Sequence, residues 1–274
     1  MGFNETVQYL YDLQKFGTKL GLDNTRSLLR LLGDPHNGRR FLHVTGTNGK
    51  GSVSAMAASM SSAAGVRTGL YTSPHLVSFT ERFRLDGLQA SEDDVVRLAE
   101  RLKNLLSESD AGRRPTFFEF TTAMALDWFA RQGAEAVVLE VGMGGRLDST
   151  NVVTPDCTVI TNVEVEHIEY LGDTVELIAY EKAGIIKPGV PLVTAEEKPE
   201  ALRVIEDACS DMAAPMYLLG RDYGYVERGV RWESEGLVQS FDYEGRAALS
   251  MGLRYAWRVD TRWRTRRRRS VRWL

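Results

Sequence analysis

The strongest constraint on the fold is a glycine-rich stretch that runs from His43 to Ser52. It follows a short apolar run, Phe41 to Val44, that predicts a buried parallel strand, and it precedes apolar residues at helical spacing. Strand, glycine-rich turn and helix together are the context of a phosphate-binding loop. Glycine lets successive backbone N–H groups point at a phosphate, and the positive N-terminal end of the next helix adds to the attraction.

Two polar residues of this stretch suit a nucleotide bound with a metal ion. Lys50 supplies a positive charge for the β- and γ-phosphates, and the hydroxyl of Ser52 can reach magnesium. The match to the common pattern is imperfect, because Val44 replaces its first glycine and Gly51 separates the lysine from the serine. The alternative is a glycine-rich turn that binds nothing. The predicted nucleotide-binding residues are Thr47, Asn48, Gly49, Lys50, Gly51 and Ser52.

Charge and composition exclude several classes of protein. Residues 253–274 carry nine arginines and one acidic residue, a charge of +8. Since the whole chain has a net charge of −3, residues 1–252 have a net charge of −11. The acidic body shows no footprint for nucleic acid, and no apolar run has the length of a membrane span. Cys157 and Cys209 lie far apart and indicate no disulfide framework. These features predict a cytoplasmic monomer without a nucleic-acid or membrane partner.

Apolar strands alternate with amphipathic helices over most of the chain. This order predicts an α/β fold in which a parallel sheet carries helices on both faces. The predicted strands are 41–44, 68–72, 136–141, 157–163, 191–195 and 215–219. The predicted helices are 3–14, 24–32, 53–65, one that starts with a capping box over 91–94 and runs to about 106, 116–132, one capped by Asp173 and Glu176 that carries Lys182, and 199–212.

Other segments break this alternation. Residues 73–87 are expected to form a long irregular segment, which in a compact domain indicates a functional or disordered loop. From Tyr223 onward, short strands and turns at 227–229 and 234–236 predict a small antiparallel annex. The arginine-rich end has no periodicity. We therefore expect one domain over 1–250 and a basic tail over 251–274.

Polar residues fall where the parallel strands are expected to end. In such sheets ligands bind beyond the carboxyl ends of the strands. Ser73, Glu140 and His167 offer a hydroxyl, a carboxylate and an imidazole there, which is a plausible partial shell for Mg²⁺. The alternatives are a salt bridge for Glu140, which lies inside an apolar strand, and a surface histidine for His167. Lys182 taken alone is a solvated helix lysine.

The irregular segment over 73–87 contains aromatic and basic side chains. Phe79, Arg82, Phe83 and Arg84 could stack on and steer an anionic aromatic ligand. The alternative is a loop that two phenylalanines tether to the core.

These motifs, taken in order, carry a resemblance to a known family. From about Val7 to about Leu249 the chain resembles the N-terminal part of folylpolyglutamate synthase and dihydrofolate synthase, in the Mur ligase superfamily. The shared blocks are Lys15–Gly17, Gly46–Ser52, Ser73–Leu76, Glu81–Arg82, Phe118–Glu119, Glu140–Asn151, His167 with Tyr170–Gly172, and Glu181–Ile185.

The resemblance implies roles for individual residues. Lys50, Glu140, His167 and Lys182 are expected to be catalytic, with ATP and Mg²⁺ as cofactors and with Ser73, Glu140 and His167 as metal ligands. Lys182 resembles the family's carbamylated lysine, and residues 73–87 are similar to its folate-binding loop. The residues expected to contact the substrate are Thr116, Phe117, Phe118, Glu119, Leu147, Asp148 and Ser149.

The resemblance also implies a reaction, and the chain differs from the family in two respects. The reaction is ATP-dependent addition of L-glutamate to a folate or dihydropteroate carboxylate through an acyl phosphate. The alternatives are a Mur-type ligase with another acid substrate and a nucleotide- or folate-binding fragment without catalysis. Glu166 stands where the family usually has aspartate. We expect the family's C-terminal glutamate-ligase domain to be absent from this chain, and we therefore expect the chain to bind ATP weakly and to have little ligase activity.

Overall fold

The computed structural model describes residues 1–17, 21–109, 114–233, 236–245 and 252–257. The chain divides into two compact units, Met1–Met216 and Tyr217–Leu274. The domain boundary expected near residue 250 stays a prediction, and most of the basic tail lies outside the described residues. Each helix in the described ranges is too short or too polar to cross a bilayer.

Eight α-helices are described, and they follow the predicted order closely. They are α1 Phe3–Asp12, α2 Asp23–Leu31, α3 Lys50–Ala63, α4 Glu92–Glu108, α5 Phe117–Arg131, α6 Ile168–Leu171, α7 Val175–Ala183 and α8 Pro199–Asp211. Three short 3-10 helices accompany them, at Leu13–Phe16, Phe79–Arg82 and Ser149–Val152.

An eight-stranded sheet forms the centre of the fold, with strand order β4-β3-β2-β5-β1-β6-β7-β8. Its strands are β1 Arg40–Thr45, β2 Thr68–Tyr71, β3 Phe83–Leu85, β4 Leu88–Gln89, β5 Ala136–Glu140, β6 Cys157–Ile160, β7 Leu192–Thr194 and β8 Met216–Leu218.

Five neighbouring strands of this sheet pair in parallel, namely β2, β5, β1, β6 and β7. Their carboxyl ends therefore lie along one edge of the sheet. The register places Val44 beside Glu140, Tyr71 beside Leu139 and Thr45 beside Ile160. The segments that follow β1, β2, β5 and β6 consequently meet at this edge, as expected for a ligand site in an open α/β sheet.

Helices cover both faces of the sheet, which confirms the predicted fold class. Val137 and Leu139 belong to a large core shared with α1, α2, α4 and α5. Because side chains alternate along a strand, Val138 and Glu140 face the other side, where α3 packs against β1, β2 and β5. A second apolar cluster joins β6 and β7 to α7 and α8. The sheet thus aims Glu140 towards the helix of the phosphate loop.

The segment 73–87 is more regular than expected, and the sheet is mixed. β3 pairs antiparallel with β2, and β4 pairs antiparallel with β3. Asp86 and Gly87 join β3 to β4 with φ values of 48° and 80°. Two residues with positive φ are typical of a tight hairpin turn, for which Asp-Gly is a preferred sequence. The expectation of an irregular segment was wrong here, since this dipeptide signalled the hairpin.

The cap of α7 also differs from the expectation. The hydroxyl of Thr174 accepts a hydrogen bond from the backbone N–H of Leu177, so threonine, and not Asp173, caps the helix. Glu176 lies in the first turn, where a negative charge is favourable. The loop expected before this helix contains the short helix α6.

The second unit is a three-stranded antiparallel sheet with order β11-β10-β9, which agrees with the predicted annex. Its strands are β9 Tyr223–Glu233, β10 Gly236–Gly245 and β11 Gly252–Trp257. The expected turn at 227–229 is absent, since β9 runs through it with a register shift opposite Ser240 and Phe241. Residues 234–235 of the second expected turn lie outside the described residues.

Candidate functional site

The phosphate loop owes its shape to two glycines between β1 and α3. Gly46 has a φ of 145°, and a Cβ built on it would lie 1.8 Å from the hydroxyl oxygen of Thr161. Gly49 has a φ of 80° and caps α3 in the left-handed conformation. A side chain at either position would strain this conformation, so the loop requires glycine at both.

The segment after β6 holds the phosphate loop in place. The backbone N–H of Thr47 donates to the carbonyl of Asn162 at 2.9 Å. The N–H of Asn48 donates to the side-chain oxygen of Asn162 at 2.8 Å. The hydroxyl of Thr161 donates to the carbonyl of Asn48 at 2.6 Å, and the N–H of Glu164 donates to the Thr47 hydroxyl at 2.9 Å. Sequence reasoning missed these supporting residues, because it placed Thr161 and Asn162 inside a predicted strand over 157–163, whereas β6 ends at Ile160.

Lys50 is the first residue of α3, and its side chain folds back over the loop. Its Nζ donates to the carbonyl oxygens of Gly46 and Thr47, at 2.8 and 3.0 Å. The ammonium group therefore lies over the backbone where the phosphates are expected. Ser52 lies in the same first turn and is half-buried.

Glu140 lies opposite the start of this helix. A Cβ on Gly51 would be 3.4 Å from its Oε1. The carboxylate is only 4% exposed and accepts a hydrogen bond from the backbone N–H of Ser73 at 3.0 Å. Burial raises the pKa of Glu140 to about 7, against the opposing effects of the Ser73 hydrogen bond and the charges of Lys50 and Arg82. A salt bridge is not what satisfies this carboxylate, because no ion pair of the described residues includes it.

The Glu140 environment fits a divalent cation. A buried carboxylate with one hydrogen bond and a raised pKa would be stabilised by a positive charge, and a carboxylate with a serine hydroxyl is an oxygen set that suits Mg²⁺. His167 is exposed and caps α6 with a φ of 46°, which is uncommon outside glycine. Among the described residues no cluster of three or more His, Cys, Asp or Glu side chains forms a metal site. The structure thus joins Ser73 to Glu140, but it gives no contact between them and His167.

Lys182 is the second buried charge near the phosphate loop. Its side chain is fully buried on α7, and its Nζ donates to Oε1 of Glu166 at 2.7 Å. Burial lowers the pKa of Lys182, and the charge of Lys50 lowers it further, while the Glu166 hydrogen bond opposes both. Burial raises the pKa of Glu166, but the hydrogen bond and charge of Lys182 outweigh it, so that this pKa lies below its usual range. Lys182 is therefore not the solvated lysine that its helical position alone indicates.

A cavity of about 530 Å³ opens at the same edge of the sheet, and we term it the edge cavity. Six of the seven predicted substrate residues line it, and so does the predicted metal ligand Ser73. The lining residues are Gln14, Gly17, Ser73, Pro74, Arg82, Thr116, Phe117, Phe118, Gly142, Met143, Leu147, Asp148, Ser149 and Tyr170.

Two of the predicted substrate residues have their carboxylates bound to backbone groups. Glu119, which does not line the cavity, accepts a hydrogen bond from the N–H of Thr116 at 2.7 Å in a capping box of α5. Asp148 accepts hydrogen bonds from the N–H groups of Gly142 and Met143, at 3.0 Å each, and from the N–H of Thr150 at 2.9 Å. Of the two, only Asp148 lines the cavity, and the predicted contacts of both residues with substrate stay predictions.

The four aromatic and basic residues of the loop 73–87 separate into two groups. Phe79 and Phe83 are buried in the large core, which is the tethering role considered as the alternative. Arg84 donates to the carbonyl of Glu81 at 3.3 Å and does not line the cavity. Arg82 alone of the four reaches the edge cavity, where its guanidinium lies 5.2 Å from the ring centre of Phe117.

Comparison with known proteins identifies the family. A family model described as the Mur ligase middle domain matches residues 44–208, which is more than half of the 274 residues. The chain belongs to the Mur ligase family. The matched range contains the phosphate loop, Glu140 and Lys182, and it confirms the resemblance carried by the motifs.

Curated members of this family share a substantial part of the sequence. The chain is 42% identical over 221 residues to a dihydrofolate synthase/folylpolyglutamate synthase of Bacillus subtilis, covering 79% of this chain and 51% of that protein. It is 35% identical over 247 residues to a folylpolyglutamate synthase of Lacticaseibacillus casei, covering 89% of this chain and 57% of that protein. The chain therefore spans about half the length of these relatives.

Solved structures of the family have the same fold. A folylpolyglutamate synthase from Thermotoga maritima superposes with a TM-score of 0.81 at 41% identity, covering 90% of this chain and 56% of that one. An FPGS–AMPPCP–folate complex also gives 0.81, at 34% identity, with 90% of this chain and 60% of that one covered. At these identities and scores, the Mur ligase fold of the chain is established.

Proposed function

We propose that this chain provides the ATP-binding part and the acid-substrate site of a ligase that adds L-glutamate to a folate or dihydropteroate carboxylate. The observation that carries the proposal is the position of Ser73. Its backbone N–H binds Glu140, which faces the phosphate-loop helix, and the same residue lines the edge cavity. A substrate acid in the cavity would therefore lie beside the nucleotide phosphates.

The nucleotide half of the site suits ATP. The phosphate loop presents backbone N–H groups and the N-terminal end of α3, and Lys50 lies above it. A structural relative was solved as a complex with AMPPCP, a non-hydrolysable analogue of ATP, and this supports the same ligand here. Ser73 and Glu140, together with His167 from the sequence-based set, would hold Mg²⁺, which when bound would neutralise charge on the phosphates.

The acid half of the site suits an aromatic substrate with a carboxylate. Phe117 and Phe118 provide apolar walls, while Arg82 provides a positive charge. The dimensions agree with this, since ligand sites commonly have volumes of about 300–1,000 Å³. A relative was solved with AMPPCP and folate, and a Bacillus subtilis relative is named for dihydrofolate and folylpolyglutamate synthesis.

The proposed reaction proceeds in two steps. A carboxylate oxygen of the acid attacks the γ-phosphorus of ATP, so that an acyl phosphate forms and ADP leaves. The glutamate amine then attacks the acyl carbon, the C–O bond to phosphate breaks, and the amine loses a proton as the amide forms. Lys50 would stabilise the charge of the transferring phosphoryl group, and the phosphate-loop N–H groups would hold the β-phosphate in line.

The proposal also concerns the cell compartment and assembly state. We propose a cytoplasmic monomer, because the reaction draws on ATP and because no described helix could cross a membrane. Cell fractionation and light scattering on the purified chain test these two points, and a stable oligomer would contradict the second.

Glutamate-dependent ADP release tests the proposed function. The chain, and a version extended by the C-terminal part that its relatives possess, are supplied with MgATP, L-glutamate and either dihydropteroate or tetrahydrofolate. We expect ADP release from the extended version with one of these acids and only weak release from the 274-residue chain. Release with an unrelated acid alone would indicate another Mur-type ligase, and ATP binding without release under any condition would indicate a binding module.

A further inference from the structure

Arg82 is a buried cation at the wall of the edge cavity. It ends the 3-10 helix Phe79–Arg82 and is 6% exposed. No carboxylate of the described residues lies within 4.0 Å of its guanidinium, so it has no ion-pair partner there. A buried charge without a partner is costly unless a ligand or solvent compensates it. An anion bound in the cavity would therefore stabilise the guanidinium.

Neighbouring side chains fix the orientation of this guanidinium. Its Nε donates to Nδ1 of His75 at 2.9 Å, and Nε2 of the same imidazole lies 3.1 Å from the hydroxyl of Tyr11. Burial and the charge of Arg82 lower the pKa of His75, which favours the neutral imidazole that can accept at Nδ1. The rings of Phe79 and Phe117 flank the guanidinium, at 5.6 and 5.2 Å from its central carbon to the ring centres.

This arrangement leaves the outer edge of the guanidinium for a ligand. Within the described ranges, no side chain or carbonyl accepts a hydrogen bond from the two terminal nitrogens, Nη1 and Nη2 of Arg82. Paired N–H groups of a guanidinium match the two oxygens of a carboxylate. Because His75 and the aromatic rings fix the plane in advance, little conformational entropy is lost when such a bond forms.

The position of the Arg82 guanidinium indicates which anion it binds. Ser73 lines the same cavity and binds Glu140, and the charge of Arg82 acts to lower the pKa of that carboxylate. The guanidinium is thus on the acid-substrate side of the site, whereas Lys50 is the cation over the phosphate loop. An acid group held by Arg82 would lie between the aromatic walls and the nucleotide.

We propose that Arg82 is the carboxylate-binding residue of the edge cavity, and that it holds the acid group of the aromatic substrate that becomes phosphorylated. This inference rests on the proposed function and deepens it, because it assigns the recognition of the reacting carboxylate to one side chain. Arg84, two residues along the chain, has no such role, since its Nε is bound to the Glu81 carbonyl and it does not line the cavity.

The test compares two ligands that differ only in the acid group. Pteroate has a single carboxyl group, and its analogue with aniline in place of 4-aminobenzoate has none. We expect the native chain to bind pteroate about 10- to 100-fold more tightly than the analogue, as for a charge-assisted hydrogen-bonded pair. In Arg82→Gln this preference should fall to within about twofold, whereas Arg84→Gln should keep it.

Two further measurements separate this inference from the proposed function. MgATP affinity and melting temperature should be similar in the native chain and in Arg82→Gln, which shows that the variant is folded. Arg82→Lys keeps the charge but loses the paired geometry, and it should recover only part of the preference. Equal binding of the two ligands by the native chain, or an undiminished preference in Arg82→Gln, would overturn the inference even if ATP binding and ADP release support the proposed function.

Discussion

The buried ammonium of Lys182 and the half-buried carboxylate of Glu166 form an ion pair with a separation of 2.7 Å. The pair joins α7 to the segment that precedes α6, and the charge of Lys50 acts on both of its members. Glu166 occupies the position at which the resemblance leads one to expect aspartate. The longer glutamate side chain reaches the lysine directly, so the charge at this position pairs with the protein itself.

A carbamate on Lys182 is the first prediction. Because burial lowers the pKa of this amine, a larger neutral fraction is available to react with CO₂ than for an exposed lysine. Carbon-13 NMR of the chain equilibrated with labelled bicarbonate should show one carbamate signal that grows with rising pH. The signal should vanish in Lys182→Ala and persist in Lys187→Ala, which removes another lysine whose pKa is lowered by burial.

The ion pair of Lys182 with Glu166 provides a second test of this prediction. A carbamate would place two negative groups together, so the Glu166→Gln variant should carry more of it than the native chain. A high-resolution electron-density map with an unmodified amine at saturating bicarbonate would contradict the prediction. So would a carbamate signal that remains in Lys182→Ala.

Metal dependence through Glu140 is the second prediction. Glu140→Gln keeps the hydrogen bond from Ser73 but removes the charge, so Mn²⁺ should bind at least about tenfold more weakly in the presence of ATP. His167→Ala should weaken it less, because that residue is exposed. Glu135→Gln, at the opposite end of the same strand segment, is the control. Titration curves that coincide for all four proteins would place the metal elsewhere.

The pH dependence of stability provides the third prediction. Burial lowers the pKa of His43 to about 3, and its Nε2 lies 2.8 Å from the Thr150 hydroxyl. In the unfolded chain His43 binds a proton near its ordinary pKa of 6.5, whereas in the folded chain it does not, so stability falls as the pH drops from about 6.5 towards 3. Between about pH 7.5 and about pH 5 this single group should cost about 2 kcal/mol.

Denaturant unfolding at the two pH values measures this effect. His43→Gln can still donate to Thr150, and it should reduce the loss of stability on acidification by about 2 kcal/mol. His167→Gln is the control, since it removes an exposed histidine and leaves the buried His43 in place. An equal loss in His43→Gln and the native chain would mean that other groups determine the acid sensitivity.

The geometry of the phosphate loop gives the fourth prediction. Gly46→Ala would bring a methyl group to 1.8 Å from the Thr161 hydroxyl oxygen at a backbone φ of 145°, so the loop must change shape. MgATP affinity measured by calorimetry should fall at least about tenfold, because the N–H groups no longer converge. Gly224→Ala, where a Cβ meets open space, should bind normally. Unchanged affinity in Gly46→Ala would contradict the assigned loop.

The sequence predicted the fold well because its signals are local and repeated. The strands from β1 to β7 that pair in parallel have apolar runs, and α4 and α5 begin with capping boxes that the sequence displays. Some local signals were overlooked, such as the Asp-Gly turn between β3 and β4 and the Thr174 cap. The Gly229 region shows a different limit, since a strand with a register shift and a turn have similar local sequences.

The candidate site was predictable in part only, because side-chain partners come from distant segments. The motifs located Lys50 and Glu140, but nothing local indicates that Lys182 meets Glu166 or that Asn162 holds the phosphate loop. Likewise, Phe79 and Arg82 are three residues apart, yet one is in the core and the other reaches the edge cavity. Burial of this kind depends on tertiary packing, which local patterns do not encode.

Nucleotide binding by Lys50 is the central claim, and one calorimetric titration tests it most directly. The native chain and Lys50→Ala are titrated with MgATP, with Lys103→Ala, a lysine of α4 that lies over the Tyr9 ring, as the control. We predict that Lys50→Ala loses detectable ATP binding while its unfolding transition without nucleotide stays cooperative, and that Lys103→Ala binds like the native chain. Native affinity in a folded Lys50→Ala protein would contradict the phosphate-loop assignment and the function built upon it.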